Sequence, residues 1–280
     1  MKTNSEIKVR LFTGSIDRLR ISNGAIKVLE INGIPCHEET FVPKEPWERL
    51  NKFDCQRLIS LKKHNYNDIS LIKLPRNLIK VFEDLKLKNC INNNDIHYIQ
   101  DSSKWQETIK KTVKFLSRFN LNNTEIITHK LYFGQPNLKN NTFNSHEGVF
   151  IGMHLDSWEG EHIFSRNRSR NRICINLGNE PRFLLFYNIS IVSMAKMIDF
   201  QINDEKNDIN SIYKKFASKF PDFPIYRLEI SPYEAYIAST EFIIHDGSNW
   251  SSTFPDINLT FRGQFYFKKC MSILNLVIIK

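Results

Sequence analysis

The hydrophobic residues of this chain follow one period up to about residue 122 and another period after it. In the first part they recur at helical spacing, and in the second part they alternate with polar residues, as in half-buried β-strands. This change predicts a mostly helical support region over residues 1–122 and a β-rich core over residues 123–280. No linker-like stretch or internal repeat separates the two parts, so we expect a single domain over residues 1–280.

The first part contains a small sheet element and three helices. Lys8–Phe12 and Ala25–Ile31 alternate as short strands do. One helix is predicted to open at Glu45-Pro46-Trp47, and a second spans the apolar positions between Leu78 and Leu85. The third follows the capping sequence Asp101-Ser102-Ser103. Its apolar stripe consists of Trp105, Ile109, Val113, Leu116 and Phe119.

The second part reads as a series of short strands. They are predicted at Glu125–Phe133, Gly148–Leu155, Arg172–Leu177, Phe183–Tyr187, Tyr226–Ile230, Tyr236–Ile244 and Ile257–Phe267. The sequence Gly178-Asn179-Glu180-Pro181 is typical of a hairpin turn between two of them. A helical pattern near 194–220 interrupts the series. The whole predicts a mainly β protein with flanking helices (α+β), a jelly-roll or barrel core braced by an N-terminal helical layer.

Composition narrows the class of protein. Of 280 residues, 41% are hydrophobic and 25% are charged, as in an ordinary globular protein. No stretch approaches the ~18 apolar residues of a membrane span, so we expect no membrane partner. The first ten residues lack the apolar region of a secretory signal, and the five cysteines, Cys270 among them, include no Cys-x-x-Cys pair. Both features predict a cytoplasmic protein without a disulfide framework.

The charge balance is basic. Thirty-nine Lys and Arg against 30 Asp and Glu give a net charge of +9. Such an excess is compatible with nucleic-acid binding, but lysines are spread over the predicted helix surfaces, and no signature of a nucleic-acid-binding module accompanies them. The sequence therefore argues against a nucleic-acid partner.

Candidate chemistry lies at the end of the predicted strand Gly148–Leu155. Alternation places His154 and Asp156 on the same face. An imidazole and a carboxylate at this spacing need one more nitrogen ligand to form the two-histidine, one-carboxylate set of non-haem iron(II) sites. His245, which follows an apolar strand and precedes the turn Asp246-Gly247-Ser248, is the candidate. His129, His146 and His162 lack such a setting and are interpreted as ordinary polar positions.

A second polar pair lies on the last predicted strand. Thr260 and Arg262 share the face opposite the apolar residues of Ile257–Phe267. A guanidinium beside a hydroxyl can bind a carboxylate through two hydrogen bonds. These two residues are therefore candidates for a carboxylate-binding site.

Together these residues resemble the iron(II)- and 2-oxoglutarate-dependent oxygenases. The resemblance rests on His154-Leu155-Asp156, the later His245 and the following Arg262, and it covers roughly residues 123–270. It implies a double-stranded β-helix (jelly-roll, cupin-like) core in which His154, Asp156 and His245 bind Fe(II). It also implies that Arg262, aided by Thr260, binds the distal carboxylate of 2-oxoglutarate.

The spacing of 17 residues from His245 to Arg262 is longer than in many members, so another arginine could take this role. Halogenating members of this family carry a small residue where this sequence has Asp156, so the pattern resembles that of the hydroxylating members. The implied activity is oxidation of a C–H bond with dioxygen, releasing succinate and CO2; desaturation, epimerisation and cyclisation would use the same residues.

Substrate contacts are predicted next to the ligands. Ser157 and Trp158 follow Asp156 directly, and arginines recur at every second position from Arg166 to Arg172. If extended, this run would present a cationic edge, with Arg170 and Arg172 the candidates for an anionic group; the alternative is a solvated loop.

We expect the substrate to be a small metabolite, amino acid or peptide, in the context of natural-product tailoring. Two other functions stay open. One is a non-enzymatic jelly-roll binding module, and the other is an oxygenase that modifies protein or RNA. The sequence gives no indication of the oligomeric state.

Overall fold

The computed structural model describes residues 7–59, 65–200 and 209–267, and the predicted elements and Cys270 that fall outside these ranges are not considered further. The strands are β1 Val9–Leu11, β2 Leu19–Ser22, β3 Ala25–Ile31, β4 Ile34–Pro43, β5 Glu48–Arg49, β6 Ile69–Lys73, β7 Ile127–Gly134, β8 Phe143–Asn144, β9 Val149–Phe150, β10 Asn171–Asn176, β11 Arg182–Ser190, β12 Ile225–Ile230, β13 Glu234–Ala238, β14 Ile243–Ser248 and β15 Asp256–Gly263. The α-helices are α1 Lys52–Leu58, α2 Arg76–Glu83, α3 Asn93–Gln100, α4 Ser103–Leu116, α5 Ile191–Met197 and α6 Ile209–Lys219.

Two large sheets form the centre of the molecule. One has six strands in the order β1-β6-β13-β10-β15-β7, and the other has five in the order β14-β11-β12-β2-β5. Leu71 and Tyr236 of the first sheet share one buried cluster with Phe186 and Leu228 of the second, so the two sheets pack face to face. A smaller sheet, β3-β4-β9-β8, lies beside them.

Helices cover the outer faces of both large sheets. Phe82 of α2 and Trp105 of α4 pack in one cluster with Phe261 of the six-stranded sheet. Met194 of α5 and Phe216 of α6 pack with Tyr187 and other residues of the five-stranded sheet. The predicted class, mostly β-sheet with several helices, is confirmed. Among the described residues, none of the helices has the length and apolar character that a membrane crossing requires.

Helix α4 begins where the sequence predicts. The Ser102 hydroxyl accepts a hydrogen bond from the Trp105 backbone N–H at 3.1 Å, which satisfies one of the donors that a helix start leaves unpaired. Trp105 and Leu116 of the predicted stripe are buried, with Ile109 and Val113 packed at the edge of the same cluster.

The predicted helix start at Glu45-Pro46-Trp47 is wrong, although Phe53 and Leu58 of the predicted apolar stripe do lie in a helix. Glu48–Arg49 forms β5, paired with β2, and α1 begins only at Lys52. The Asn51 side chain accepts a hydrogen bond from the Asp54 backbone N–H at 2.9 Å and fixes this later start. Strand pairing with a distant segment is thus favoured over the local helical pattern.

The predicted hairpin around Gly178-Asn179-Glu180-Pro181 is also wrong, because β10 and β11 belong to different sheets. The Asn176 side chain donates hydrogen bonds to the carbonyl oxygens of Glu180 and Ile230, both at 2.9 Å, and fixes the crossing. The predicted strand Tyr236–Ile244 likewise divides into β13 and β14, one in each large sheet. The chain therefore passes repeatedly from one sheet to the other.

Candidate metal centre

Three side chains predicted as metal ligands meet in one place. Ligand atoms of His154, Asp156 and His245 all lie within 4.8 Å of one another. His154 Nε2 is 3.6 Å from Asp156 Oδ1, and His245 Nε2 is 3.7 Å from Asp156 Oδ2. The two imidazole rings have centroids 4.7 Å apart. Two nitrogens and a carboxylate oxygen therefore face a common point.

Backbone pairing brings the two histidines together. The His154 N–H donates to the His245 carbonyl at 3.0 Å, and the His245 N–H donates to the His154 carbonyl at 2.9 Å. Residues that exchange both bonds in an antiparallel bridge project their side chains to the same side. Asp156 is placed by a bond from its N–H to the Thr240 carbonyl at 3.1 Å. The predicted strand Gly148–Leu155 is shorter than expected: only Val149–Phe150 and the bridge at His154 pair.

The imidazoles are oriented by their own backbone. His154 Nδ1 lies 2.8 Å from the Gly152 carbonyl oxygen, and His245 Nδ1 lies 3.3 Å from that of Ile243. A carbonyl oxygen only accepts, so in the neutral rings Nδ1 carries the proton and Nε2 keeps its lone pair. His245 Nε2 is buried and has no hydrogen-bond partner. A metal ion suits this donor set, since it would satisfy an atom that the protein leaves unpaired.

The charge states suit a cation as well. Burial lowers the pKa of His245 to about 3, which keeps this ring neutral at physiological pH. Burial would raise the pKa of Asp156, but the Arg172 guanidinium and the two imidazoles hold it well below its usual range. For His154, burial is outweighed by the hydrogen bond and charge of Asp156, and its pKa is raised. A proton and a metal ion would therefore compete for His154.

Gly152 sets the approach of the chain to His154. It has φ +70°, and a Cβ added there would lie 2.6 Å from Thr40 Cγ2 and 2.7 Å from the Phe41 carbonyl oxygen. Because its own carbonyl orients the His154 ring, any shift of this backbone moves a candidate ligand. Glycine is required here both by the left-handed conformation and by the close contact with β4.

We expect Gly152→Ala to destabilise the fold and to weaken metal binding. The left-handed backbone alone costs about 1–2 kcal/mol for a residue with a Cβ, and the clash with β4 adds to it. Gly148→Ala is the matched control, since Gly148 also has φ +70° but a Cβ there would meet nothing within 4 Å. Urea unfolding should show the larger loss for Gly152→Ala, and a metal titration should show a loss of affinity for that variant alone. Equal losses of stability would contradict the close contact.

Two arginines lie beside the three ligands. Arg172 of β10 and Arg262 of β15 are direct cross-strand partners, so their side chains leave the same face. An Arg172 terminal nitrogen is 3.3 Å from Asp156 Oδ2. Arg262 contacts Glu159 at 2.9 Å and Glu241 at 3.5 Å. Thr260, buried on the same strand, pairs with Cys174.

The residues predicted to contact substrate have definite partners. Trp158 is 48% exposed, and the Arg262 guanidinium lies 5.1 Å from its ring centroid. The Arg170 guanidinium donates to Glu159 at 2.9 Å, so Glu159 joins two arginines. The Ser157 hydroxyl accepts from Arg166 at 2.9 Å.

Neither alternative for the run Arg166–Arg172 holds throughout, because the run does not form one extended cationic edge and Arg166 is not solvated. Arg166–Arg168 forms a short 3-10 turn, and Arg166 is only 1% exposed. Glu159, Glu241 and the buried role of Arg166 were missed, because isolated glutamates carry no periodic signal and alternating arginines are typical of a loop as well.

A cavity lies beside the candidate metal centre, with His154 in its lining. Its volume is about 240 Å³. His154 is the most exposed of the three candidate ligands, at 12% against 2% for His245. The lining residues come from the smaller sheet, its connections and α6: His37, Glu38, Glu39, Thr40, Asn144, Glu147, Ile151, Met153, His154, Asn210, Tyr213 and Lys214.

Fold and site together define a mainly β protein with a candidate mononuclear metal centre. No protein-family model matches the chain, and no curated protein matches it. Among solved structures it is similar to the Kdo hydroxylase KdoO, described as a non-heme Fe(II) alphaketoglutarate dependent dioxygenase. The comparison with the cobalt(II) complex of KdoO gives a TM-score of 0.42 and 11% sequence identity, and it covers 71% of this chain and 80% of the KdoO chain.

The KdoO complex with alphaketoglutarate and Fe(III) has a TM-score of 0.41 and 12% identity over the same shares of the two chains. This is a distant likeness, so the chemistry of this chain has to be inferred from its own residues.

Proposed function

We propose that this chain is an iron(II)- and 2-oxoglutarate-dependent dioxygenase that hydroxylates a C–H bond of a small metabolite, amino acid or peptide. The observation that carries the proposal is the convergence of His154 Nε2, Asp156 and His245 Nε2, the last of them buried and unpaired. Two histidines and one carboxylate on one side of an ion leave positions open for further ligands, which is typical of non-haem iron(II) oxygenases.

The strand arrangement supports a double-stranded β-helix core in this proposal. Consecutive strands are distributed between the two facing sheets: β10 in one, β11 and β12 in the other, then β13, β14 and β15 in alternation. The bridge between His154 and His245 adds the segment after β9 beside β14. Such alternation between two facing sheets is how a jelly roll is wound.

Bound iron(II) would supply the redox chemistry by which dioxygen oxidises both 2-oxoglutarate, to succinate and CO2, and the substrate, to an alcohol. The residues of the chain would fix the geometry. His154 and His245 present Nε2 because their Nδ1 atoms are held by backbone carbonyls. Arg172 holds one oxygen of Asp156, which favours coordination through the other.

Arg262, aided by Thr260, is the proposed binding site for the distal carboxylate of 2-oxoglutarate. Its place on the inner face of β15, next to Arg172, supports this role. Because the two guanidinium groups are cross-strand neighbours, Arg172 is the second candidate. In either case the carboxylate of 2-oxoglutarate would compete with the acidic side chains that these arginines contact.

We expect Arg262→Ala to raise the concentration of 2-oxoglutarate needed for half-saturation about ten- to a hundredfold, since a charge-assisted bond contributes about 1.5–3 kcal/mol. Metal affinity should stay within about twofold. Tryptophan fluorescence or calorimetric titration of the metal-loaded protein with 2-oxoglutarate measures the effect. Arg168→Ala, at an exposed position in the same region, is the control. An unchanged requirement in Arg262→Ala together with a raised one in Arg172→Ala would transfer the role to Arg172.

The substrate is proposed to approach through the cavity beside His154. Ser157, Trp158, Arg170 and Arg172 are the residues proposed to contact it. Natural-product tailoring remains the proposed context. The test of the whole proposal is succinate formation by the iron-loaded protein, screened with amino acids, peptides and carboxylated metabolites. Stimulation by one of them that disappears in His245→Ala supports a dioxygenase. A wild-type protein that binds ligands but takes up no metal would instead indicate a non-enzymatic binding module.

A further inference from the structure

Arg166 is the most deeply buried arginine among the described residues, and its guanidinium bonds almost wholly to backbone. Its Nε donates to the Glu161 carbonyl at 3.0 Å, and one terminal nitrogen donates to the carbonyls of Asp156 at 2.9 Å and Glu241 at 3.4 Å. The other terminal nitrogen donates to the Ser157 hydroxyl at 2.9 Å. One side chain therefore contacts two separate segments of the chain.

These two segments are the ones that carry the candidate ligands. Asp156 and Ser157 belong to the loop that begins with the His154 bridge, and Glu241 lies just before β14, the strand of His245. Backbone bonds also join the two segments directly: the two that pair His154 with His245, and that of the Asp156 N–H to the Thr240 carbonyl. Arg166 adds side-chain hydrogen bonds to both segments from the interior of the protein.

A buried charge needs compensation, and here it comes from the same contacts. The Glu241 carboxylate lies 3.8 Å from the guanidinium and is itself fully buried. A guanidinium offers five N–H donors in a rigid planar fork, so it can bond to several carbonyls in fixed directions. A lysine at 166 would keep the charge but would offer one nitrogen on a flexible stem, which cannot reproduce this pattern.

We propose that Arg166 is a positioning residue of the metal centre, which fixes Asp156 relative to His245 by bonding to the backbone of both ligand-bearing segments. The inference rests on the proposed function in that it takes the three converging side chains to be metal ligands. The Arg166 guanidinium bonds to none of the three candidate ligand side chains; it acts through the carbonyls of Asp156 and Glu241. Mutation of residues that hold metal ligands in place without contacting the metal typically lowers metal affinity by about 10–100-fold.

The test compares Arg166→Lys with Arg168→Lys, an exposed arginine two residues away. Cobalt(II) is the probe, because its visible absorption reports ligand geometry as well as affinity. We expect Arg166→Lys to bind cobalt(II) 10–100-fold more weakly and to show a shifted absorption band, while Arg168→Lys matches the wild type in both. Wild-type affinity and spectrum in Arg166→Lys would overturn the proposal.

A control variant shows whether a general loss of stability, rather than the loss of the Arg166 contacts, alters the cobalt(II) spectrum. Leu78→Ala, in the core cluster between the helices and the six-stranded sheet, should lower the unfolding temperature, and Leu78 belongs to neither ligand-bearing segment. It should leave the cobalt(II) spectrum unchanged, and a spectrum altered equally in Leu78→Ala would reduce Arg166 to a general structural role. If Arg166→Lys does not fold, Ser157→Ala removes only the contact of the second terminal nitrogen, and a smaller change in the same direction is expected.

Amide hydrogen exchange of the metal-free protein separates this inference from the proposed function. We expect faster exchange at the Asp156 amide and its neighbours in Arg166→Lys, and unchanged exchange in Arg168→Lys. If the wild type binds no cobalt(II), the proposed function fails, and the exchange rates still decide whether Arg166 joins the two segments. Unchanged exchange in Arg166→Lys contradicts the inference whatever the metal result.

Discussion

Replacing His245 with alanine is expected to weaken Fe(II) or Co(II) binding by on the order of 100-fold or more. Loss of residues that merely orient metal ligands costs 10–100-fold in affinity, so loss of a ligand should cost no less. His245 Nε2 is also the one atom of the three-ligand set that is buried without a hydrogen-bond partner. Removing it leaves one nitrogen and one carboxylate, too few to retain the ion tightly.

Metal content per chain after reconstitution and desalting measures this effect. We expect one equivalent for the wild type and a value near zero for His245→Ala, with the same result for His154→Ala. His162→Ala is the matched control, since His162 is exposed and its ring packs against that of Phe164, with the centroids 5.4 Å apart. Full metal content in both ligand variants would remove the basis of the proposed function.

The variant is expected to fold. The backbone bonds that pair residue 245 with His154 do not depend on the side chain. The imidazole adds one hydrogen bond, from Nδ1 to the Ile243 carbonyl, and contacts with Asp156 and the His154 ring. Near-wild-type circular dichroism together with lost metal binding is therefore the expected combination. A loss of the folded state would direct the test to His154→Ala, whose ring is less buried.

The candidate ligands could be predicted from sequence because their signal is local. His154 and Asp156 are two residues apart, and an alternating pattern shows that they share a face. The strand character of the Ile244 region placed His245 beside a turn, although the structure puts it inside β14 rather than after a strand. Short spacing and strand periodicity were sufficient to find all three members of the converging set.

Strand partners could not be predicted in the same way. The alternation of Arg172–Leu177 and Phe183–Tyr187 is equally compatible with a hairpin and with strands in two facing sheets, since both place one face in a core. The choice is made by contacts distant in sequence, such as the bonds from Asn176 to the carbonyls of Glu180 and Ile230. The burial of Arg166 could not be predicted for the same reason, because it depends on bonds to the carbonyls of Asp156, Glu161 and Glu241, the last of them distant in sequence.

A second large effect, on stability, is expected at the first residue of β15, at the other end of the strand from Arg262. There Asp256 forms a buried ion pair with Arg182. Arg182 Nε is 3.0 Å from Asp256 Oδ1, and a terminal nitrogen is 3.2 Å from Oδ2, so the guanidinium binds the carboxylate through two bonds. The carboxylate also accepts from the side-chain amides of Asn141 and Asn258. This pair links β11 of one sheet to β15 of the other.

We expect Asp256→Ala to lower the free energy of unfolding by about 3–5 kcal/mol, because it leaves the buried Arg182 charge without its partner. Arg182→Met in the same background should restore part of this loss, since removing both charges also removes the uncompensated one. Urea unfolding followed by circular dichroism measures all four members of the cycle. Additive losses in the double variant would show that the two residues stabilise the fold independently.

Asp222→Ala provides the comparison at the surface. Asp222 pairs with Lys44 at 2.6 Å, but its side chain is 73% exposed, so solvent screens the pair and the expected loss is at most about 1 kcal/mol. A loss at Asp256 no larger than that at Asp222 would contradict the assignment of a buried charge pair. The contrast follows from burial and from the number of bonds: the buried Asp256 carboxylate accepts from Arg182, Asn141 and Asn258, whereas the exposed Asp222 carboxylate accepts one bond from Lys44.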